Sequence, residues 1–549
     1  MKLQPRLAAC AVLVSFAAVP MARAQQGFPP VPVPPGNPIT FEKTQLGKAL
    51  FFEEQLSSTG TVACATCHTF ETGGSDRRSF APDSVHPGFD GLFQTRDDVR
   101  GSRGVPSSNA NGTYNASTSF GLRDQVTSRR GMTVINAVYA PEAFWDGRAT
   151  NDFRDPLTNT VLLPNRAALE SQAVGPLLND VEMTHMGTTW NDVVQRLAGA
   201  KPLALASSIP ATLAQFVQGK SYPELFRVAF GTTDITPSRI AMAIATYERT
   251  LISDHNRLDD FLAGNRNALT PQEQRGNQIF TSPQTRCIEC HGGPLGTDHR
   301  FHYTGVTPPN EDLGRFTVTN APQDRGAMRT PSIRNVALRA PYFHDGSAQT
   351  LEDVVAFYNR GGNVNAPNKD PRIRPLGLTM ADQQALVAFL RALTDDRVLN
   401  ATAPFDRPKL FTESDRVPSH YGAGTPGSNN IVPVHVAYEP LSLDRSHITI
   451  GVDRGYGGSA AMLLFDAVAS TSGIPVLGIR LHLGVTPGLF LLDPIPLSGS
   501  GAGAGYGSIV LDIPNDPALR GKDVFTQWVL QDNGLQRLTS TDGVRLRIF

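Results

Sequence analysis

Two kinds of apolar spacing divide the chain. From Thr40 onward apolar residues recur at helical intervals, as in Leu46, Ala49, Leu50 and Phe51, with Thr40 placed to cap the helix they predict. A second start signal, Thr270-Pro271-Gln272-Glu273, is a capping box with proline at the first helical position. It opens a helix ending Gly276-Asn277-Gln278-Ile279-Phe280, and Gly47-Lys48-Ala49-Leu50-Phe51 has the same glycine-to-phenylalanine spacing. Past about residue 400 the pattern changes. Glycine, serine and proline dominate up to Pro433. Short alternating runs follow at 434–438, 447–452, 460–465, 476–483, 508–513 and 544–549, parted by glycine-rich turns. That alternation predicts a β-sandwich-like domain.

The helical part repeats itself. Thr133-Val134-Ile135-Asn136-Ala137-Val138, then Ala140-Pro141 and Phe144-Trp145-Asp146-Gly147-Arg148-Ala149, corresponds to Pro331-Ser332-Ile333-Arg334-Asn335-Val336, then Ala340-Pro341 and Phe343-His344-Asp345-Gly346-Ser347-Ala348. Each half closes with an amphipathic helix, where Tyr247-Glu248-Arg249-Thr250-Leu251 matches Phe389-Leu390-Arg391-Ala392-Leu393. The chain therefore carries two copies of one unit, at 40–262 and 266–400. A linker at 401–433 and a β domain at 434–549 complete it.

The chemistry of the repeat lies in two pentapeptides, Cys64-Ala65-Thr66-Cys67-His68 and Cys287-Ile288-Glu289-Cys290-His291. Two thiols with this spacing and a histidine directly after the second form the attachment signature of a c-type haem. Each sulfur bonds one vinyl side of the porphyrin, and the adjacent imidazole becomes the proximal iron ligand. A lone pair of cysteines would fit a zinc site or a disulfide equally well; two copies with histidine predict two covalent haems. The expected fold class is mainly α, with two tandem cytochrome c-like haem domains followed by a C-terminal all-β domain.

The N-terminus reads as a cleavable secretory signal over 1–24. Lys2 and Arg6 precede an apolar core, and Ala22-Arg23-Ala24 supplies the cleavage site. Leu7-Ala8-Ala9-Cys10 is like a lipoprotein box, but its apolar run follows the cysteine, which speaks against lipidation. Cleavage removes Cys10, so every remaining cysteine belongs to a haem motif, and an exported, disulfide-free chain points to a bacterial periplasm. A proline-rich leader occupies 25–39. The formal net charge of −1 implies neither nucleic acid nor a membrane surface as partner. No other stretch reaches the ~18 apolar residues of a membrane span, since the run at 474–492 is broken by Arg480, His482 and Pro487. His435, His447 and His482 lie in or beside predicted strands and read as packing or surface residues.

With both haem motifs, the duplicated unit and the Phe144–Ala149 box, residues 40 to 400 resemble the bacterial di-haem cytochrome c peroxidase family. That family includes the di-haem enzyme that matures the tryptophan-derived cofactor of methylamine dehydrogenase. Val181-Glu182-Met183 and Ala340-Pro341-Tyr342-Phe343-His344-Asp345-Gly346 add to the likeness. The resemblance implies a peroxidatic N-terminal haem and a C-terminal haem that feeds it electrons. It makes Glu182 the distal acid–base, with Gln172 and Pro176 at matching spacing, and Trp145 the tryptophan between the haems. Taken alone, Glu182 also reads as a solvated helix carboxylate, Trp145 as a core aromatic, and His344 as a structural histidine.

Two departures from the family pattern bear on function. The histidine that closes the oxidised peroxidatic haem has no counterpart between Gly121 and Arg130, where Leu122 stands in its place. The favoured reading is an iron open without prior reduction, with His86, in an insertion running to about Phe120, and His185 as rival ligands. On the other haem the family's methionine ligand is replaced by Tyr358, as in the maturation enzyme. A phenolate favours oxidised iron and lowers the potential. Tyr358 also falls on the apolar stripe of Leu351, Val354 and Val355, the pattern of a core tyrosine; Met328 and Met380 are the alternative ligands. A calcium ion between the haem units is common in the family, but Arg339 replaces its usual threonine. Asp90, Asp97 and Asp98 offer oxygen ligands or form a solvated acidic loop.

The reading is a periplasmic peroxidase that reduces hydrogen peroxide to water with electrons from a small cytochrome c or cupredoxin. Oxidation of a partner protein, or a non-catalytic electron carrier or sensor, are the alternatives. Monomer and homodimer are both left open.

Overall fold

The structure, a computed structural model, describes residues 27–549; the predicted signal segment lies outside the described residues. Five helices carry the repeat: α1 (Phe41–Phe51), α2 (Pro237–Glu248), α3 (Pro271–Thr281), α4 (Leu351–Arg360) and α5 (Met380–Arg391). Thr40 caps α1 by accepting from Lys43 N, and Thr270 and Glu273 form the reciprocal capping box of α3. In the first unit α1 packs across α2; in the second α3 packs across α5. The glycine shared by the two helices explains both crossings. A Cβ on Gly47 would lie 1.9 Å from Ala243 O, and one on Gly276 would lie 2.0 Å from Ala385 O. Only glycine lets the backbones approach so closely. Leu46, Leu50 and Phe51 then bury against Ile240, Ile244 and Tyr247, while Ile279 and Phe280 bury against Leu386, Phe389 and Leu390.

The units are less helical than their spacing predicts. Helix of all kinds makes up 27% of the described residues, because the β region takes up the C-terminal part and the glycine- and proline-rich connections of the units run as turns, short hairpins and single helical turns. The stretch expected to be a linker is also no free spacer. Phe405 and Leu410 are buried in the core of the first unit, and the Glu54 carboxylate accepts from Phe411 N at 2.7 Å. The segment straps the first unit to the β region.

The segment itself supplies β1 (Ser419–Tyr421), so the sheets begin before the expected boundary at residue 434; beyond it lie β2 (Val434–Val436), β3 (His447–Gly457), β4 (Ala460–Asp466), β5 (Gly501–Asp512), β6 (Asp523–Asp532) and β7 (Gly543–Arg547). One antiparallel sheet has the order β2-β3-β5; the other runs β4-β6-β7-β1, with shorter strands on its margins. Alternating residues of the two sheets meet: Ile448, Ile450 and Val452 bury with Leu463, Trp528, Leu530, Val544 and Leu546. Strand β6, which supplies Trp528, is absent from the predicted strands because polar residues stand on both of its faces, Thr526 beside Trp528 and Leu530, and Gln527 and Gln531 beside Phe525 and Val529. His435 and His482 are buried in this region, and His482 Nε2 lies 2.9 Å from Ala423 O.

Replacing Gly47 by alanine tests the helix crossing. In an ordinary helix interior the change stabilises by about 1 kcal/mol. Here the new methyl meets a backbone oxygen, so a loss of about 1–3 kcal/mol is expected in denaturant unfolding. A more stable Gly47→Ala protein would show that the close approach is absent.

Candidate active site

Cys64–Cys67 forms one helical turn, pinned at its start by Ala63 N donating to Thr66 Oγ1 at 2.9 Å. His68 follows at its end, with Nδ1 3.2 Å from Gly74 O. The second motif repeats the device, with His291 Nδ1 3.2 Å from Gly296 O. In each case the backbone carbonyl fixes the ring and leaves Nε2 as the ligand nitrogen. Burial holds both imidazoles below their usual pKa, hence neutral.

His68 and Cys67 line a cavity of about 670 Å³. Glu182, Gln172, Pro176, Trp145 and His86 lie on its walls. Asn179 turns the chain ahead of Glu182 by accepting from Val181 N and Glu182 N at 2.9 and 3.0 Å. Burial pushes the Glu182 carboxyl above its ordinary range, opposed by the guanidinium of Arg148. Arg148 is itself stacked on Phe144, 3.6 Å from the ring centroid, and paired with Asp146.

Cys287, Cys290 and His291 line a second cavity with Tyr358 and Met328. Tyr358 projects from α4 beside Phe343 and Phe357. Burial drives its hydroxyl above the ordinary tyrosine pKa, and no hydrogen bond offsets this among the described residues. Trp145, His344 and Arg329 belong to both cavities. The indole and imidazole rings meet edge to face at 6.2 Å. Trp145 Nε1 donates to Arg130 O at 2.8 Å.

The family described as di-haem cytochrome c peroxidase matches residues 41–267. The cytochrome-c peroxidase IdrP1 of Denitromonas iodatirespirans is 30% identical over 418 residues, 70% of this chain and 88% of that protein. The methylamine utilization protein MauG of Methylorubrum extorquens is 31% identical over 366 residues, 66% of this chain and 81% of that protein. Among solved structures, a MauG-like protein associated with microbial copper homeostasis is 26% identical with a TM-score of 0.50, covering 69% of this chain and 96% of that one. The chain belongs to the di-haem cytochrome c peroxidase family. It is an oxidoreductase, and membership implies two c-type haems.

The residues of this chain fit those haems. Arg130 and Arg329 on the first cavity, and Arg329 and Arg339 on the second, are buried, and burial brings each down to about 10. Nε of Arg130 and of Arg339 have no hydrogen-bond partner among the described residues. Buried cations left this way call for anionic partners, and a porphyrin brings two propionates. Arg130 and Arg329 escape notice in a reading centred on cysteine and histidine. The repeat does mark them: one offset of 199 residues relates Asn136 to Asn335, Trp145 to His344 and Arg130 to Arg329. Glu248 is a further carboxyl on the first cavity, with Oε2 unpartnered among the described residues and burial pushing it up to about 8.

The structure separates the other candidates. His86 lines the first cavity, its Nδ1 accepting from Gly88 N at 3.2 Å. His185 does not line it, and its Nδ1 lies 2.9 Å from Met186 O. Leu122 is fully buried with Tyr114 and Val436, against the β region. Met380 is 69% exposed at the start of α5, outside the second cavity. In the acidic loop Asp97 accepts from Phe89 N and Asp90 N, and Asp98 from Gln94 N. These carboxylates cap their own loop, which accounts for them without a cation.

Proposed function

We propose that the protein is an exported, periplasmic peroxidase that reduces hydrogen peroxide to two water molecules, taking two protons from solvent and two electrons from a small cytochrome c or cupredoxin. The observation that carries this reading is that a half-buried carboxyl, Glu182, shares one cavity with His68, while Trp145 walls that cavity and the one bounded by His291. When bound, the haem on His68 supplies an iron at which the O–O bond can be cleaved. Glu182 takes the proton from one peroxide oxygen and returns it to the other, which leaves as water. Burial raises its pKa, which helps it hold the proton between the two transfers. Gln172 offers a neutral amide on the same wall to orient peroxide. Trp145, fixed through Nε1, is the aromatic through which an electron crosses between the two cavities. The described residues contain no helix long and apolar enough to cross a membrane.

Tyr358 favours a second reading, oxidation of a partner protein as in cofactor maturation. Its position on the second cavity, without a hydrogen-bond partner among the described residues, leaves the hydroxyl free to become a ligand, with iron taking the place of the proton that burial otherwise retains; a phenolate so held favours oxidised iron. Rapid peroxide turnover with reduced cytochrome c separates the first reading from this one.

Glu182→Gln is expected to keep both haems and to lose peroxidase turnover by about 10²–10⁴-fold; near-normal turnover removes the assignment. As the base, Glu182 must be ionised, so activity falls as pH drops through its pKa. That limb should lie above the usual carboxylate value of ~4.3. Arg148→Gln removes the opposing cation and should carry the limb to still higher pH.

Low-temperature electron paramagnetic resonance of the oxidised protein tests the ligands. One high-spin and one low-spin signal are expected, and Tyr358→Phe should alter the low-spin one. Two low-spin signals would mean a closed first haem and make His86 its ligand.

A further inference from the structure

The segment that carries Glu182 is held by its neighbours' backbones. Val181 O accepts from Val105 N at 3.0 Å, and Met183 O accepts from Ser58 N at 2.8 Å. Asp180 O accepts from Gln125 Nε2 at 2.8 Å. Gly104 lies so close that a Cβ there would sit 1.8 Å from Val181 O. Val105 and Gln125 belong to a hairpin formed by Arg103–Pro106 and Asp124–Val126. Gly104 and Val126 of that hairpin also line the His68 cavity.

The connection between these two strands closes two short turns of its own, by the pairs Ser108–Tyr114 and Ser117–Gly121. It reaches the β region and is anchored there at four points. Tyr114 OH donates to Glu439 Oε1 at 3.0 Å in a buried contact. Tyr114 N donates to Ser508 Oγ at 2.8 Å, and Gly112 O accepts from Thr449 Oγ1 at 3.0 Å. Leu122 N donates to Asp453 Oδ2 at 3.3 Å, and the Leu122 side chain is buried beside Val436. Glu439 has a second tie, because its Oε2 accepts from Arg445 Nη2 at 3.1 Å. The Arg445 guanidinium lies against Gly60, where a Cβ would meet Nη1 at 1.9 Å. Gly60 N in turn donates to Ser57 O, closing the turn whose Ser58 N holds Met183 O.

Both holds on the Glu182 segment, the hairpin and the 57–60 turn, therefore converge on Glu439. We propose that the β domain acts as a positioning element for the distal carboxyl, with Tyr114 and Glu439 as the positioning residues that fix the hairpin against Glu182. This rests on the reading of Glu182 as the acid–base of peroxide reduction. It gives the β domain a part in catalysis without any residue of that domain on the cavity. Loosening the hairpin lets water reach Glu182 and displaces it from peroxide.

The test uses the full-length di-haem protein with Tyr114→Phe, which removes one hydroxyl, and Glu439→Gln, which removes the charge that holds Arg445. Asp453→Ala, on the surface of β3, is the third variant and keeps the test valid if a buried change prevents folding. Peroxide turnover is measured against pH with reduced cytochrome c, beside Glu182→Gln. The expected result is a fall in kcat/KM of about tenfold or more, with the acidic limb moved toward lower pH as Glu182 becomes hydrated. Haem content and the low-spin signal of the second haem should stay as in the parent protein. A lowered melting temperature with an unchanged pH profile would overturn the proposal, because it would make the contacts merely structural. Parent-like turnover in these variants, with Glu182→Gln inactive, would overturn the positioning role and leave the peroxidase reading standing. An active Glu182→Gln would overturn both.

Discussion

The structure depends on a reciprocal pair of backbone hydrogen bonds at the junction of the two repeats. Arg130 N donates to His344 O, and Arg329 N donates to Trp145 O, each at 2.8 Å. Residues at equivalent positions thus exchange equivalent bonds, the self-complementary arrangement of a two-fold interface, here within one chain. Each bond contributes about 1 kcal/mol net, but together they fix the register of one unit against the other. That register puts Trp145 and His344 edge to face and gives both cavities a common wall. Phe144 and Phe343 adopt φ of 68° in both copies to turn the chain into this junction. For residues with a Cβ that conformation is strained, and it recurs at the equivalent position of both copies.

Charge around the junction follows from the same geometry. Arg129 bridges Asp146 and Asp312, and the Arg315 guanidinium reaches Asp146 O and Glu142. These side chains are paired within the protein. The more deeply placed Arg130, Arg329 and Arg339 lie on the cavities and are depressed to about 10 by burial. Only the second group is short of anions, which is why it and not the first marks where the cofactors' carboxylates would lie. Arg148 stands between the groups: it is half-exposed, paired with Asp146, and the one cation that opposes burial at Glu182.

Local signals in the sequence were strong wherever one residue type had one job. Cys-x-x-Cys-His, the caps at Thr40 and Thr270, and the glycine-to-phenylalanine spacing of α1 and α3 all reappear as geometry. The sandwich strands were legible where alternation was clean, as at Ile448, Ile450 and Val452 of β3, and lost in β6, where buried Gln527 bonds Arg480 O and Thr541 O instead of facing solvent. The buried strap at 401–433 was illegible for a related reason. Its anchors Phe405, Leu410 and Phe411 are isolated apolar residues among polar ones, and no periodicity shows that they fill a distant core. The buried arginines were hidden by composition, since arginine reads as surface until a repeat or a cavity says otherwise.

The departure at Leu122 shows how far a single position can mislead without its surroundings. As a missing histidine, Leu122 suggests only the loss of a ligand. In the fold it is a core residue, packed with Tyr114 and Val436 and tied through its backbone to Asp453. A side chain buried among apolar groups of another domain cannot also swing into the His68 cavity. The substitution and the β domain are therefore one feature: the segment is anchored outward, and the only imidazole it leaves on that cavity besides those of His68 and His344 is that of His86, among the described residues. His86 is held by the pairing of Val85–His86 with Val99–Arg100, and its Nδ1 is already engaged by Gly88 N. That engagement leaves Nε2 as the nitrogen available to a metal, just as at His68 and His291, so His86 is the residue of this segment able to close the first haem. The anchored hairpin thus narrows the choice between an open and a closed first haem to this one side chain, His86.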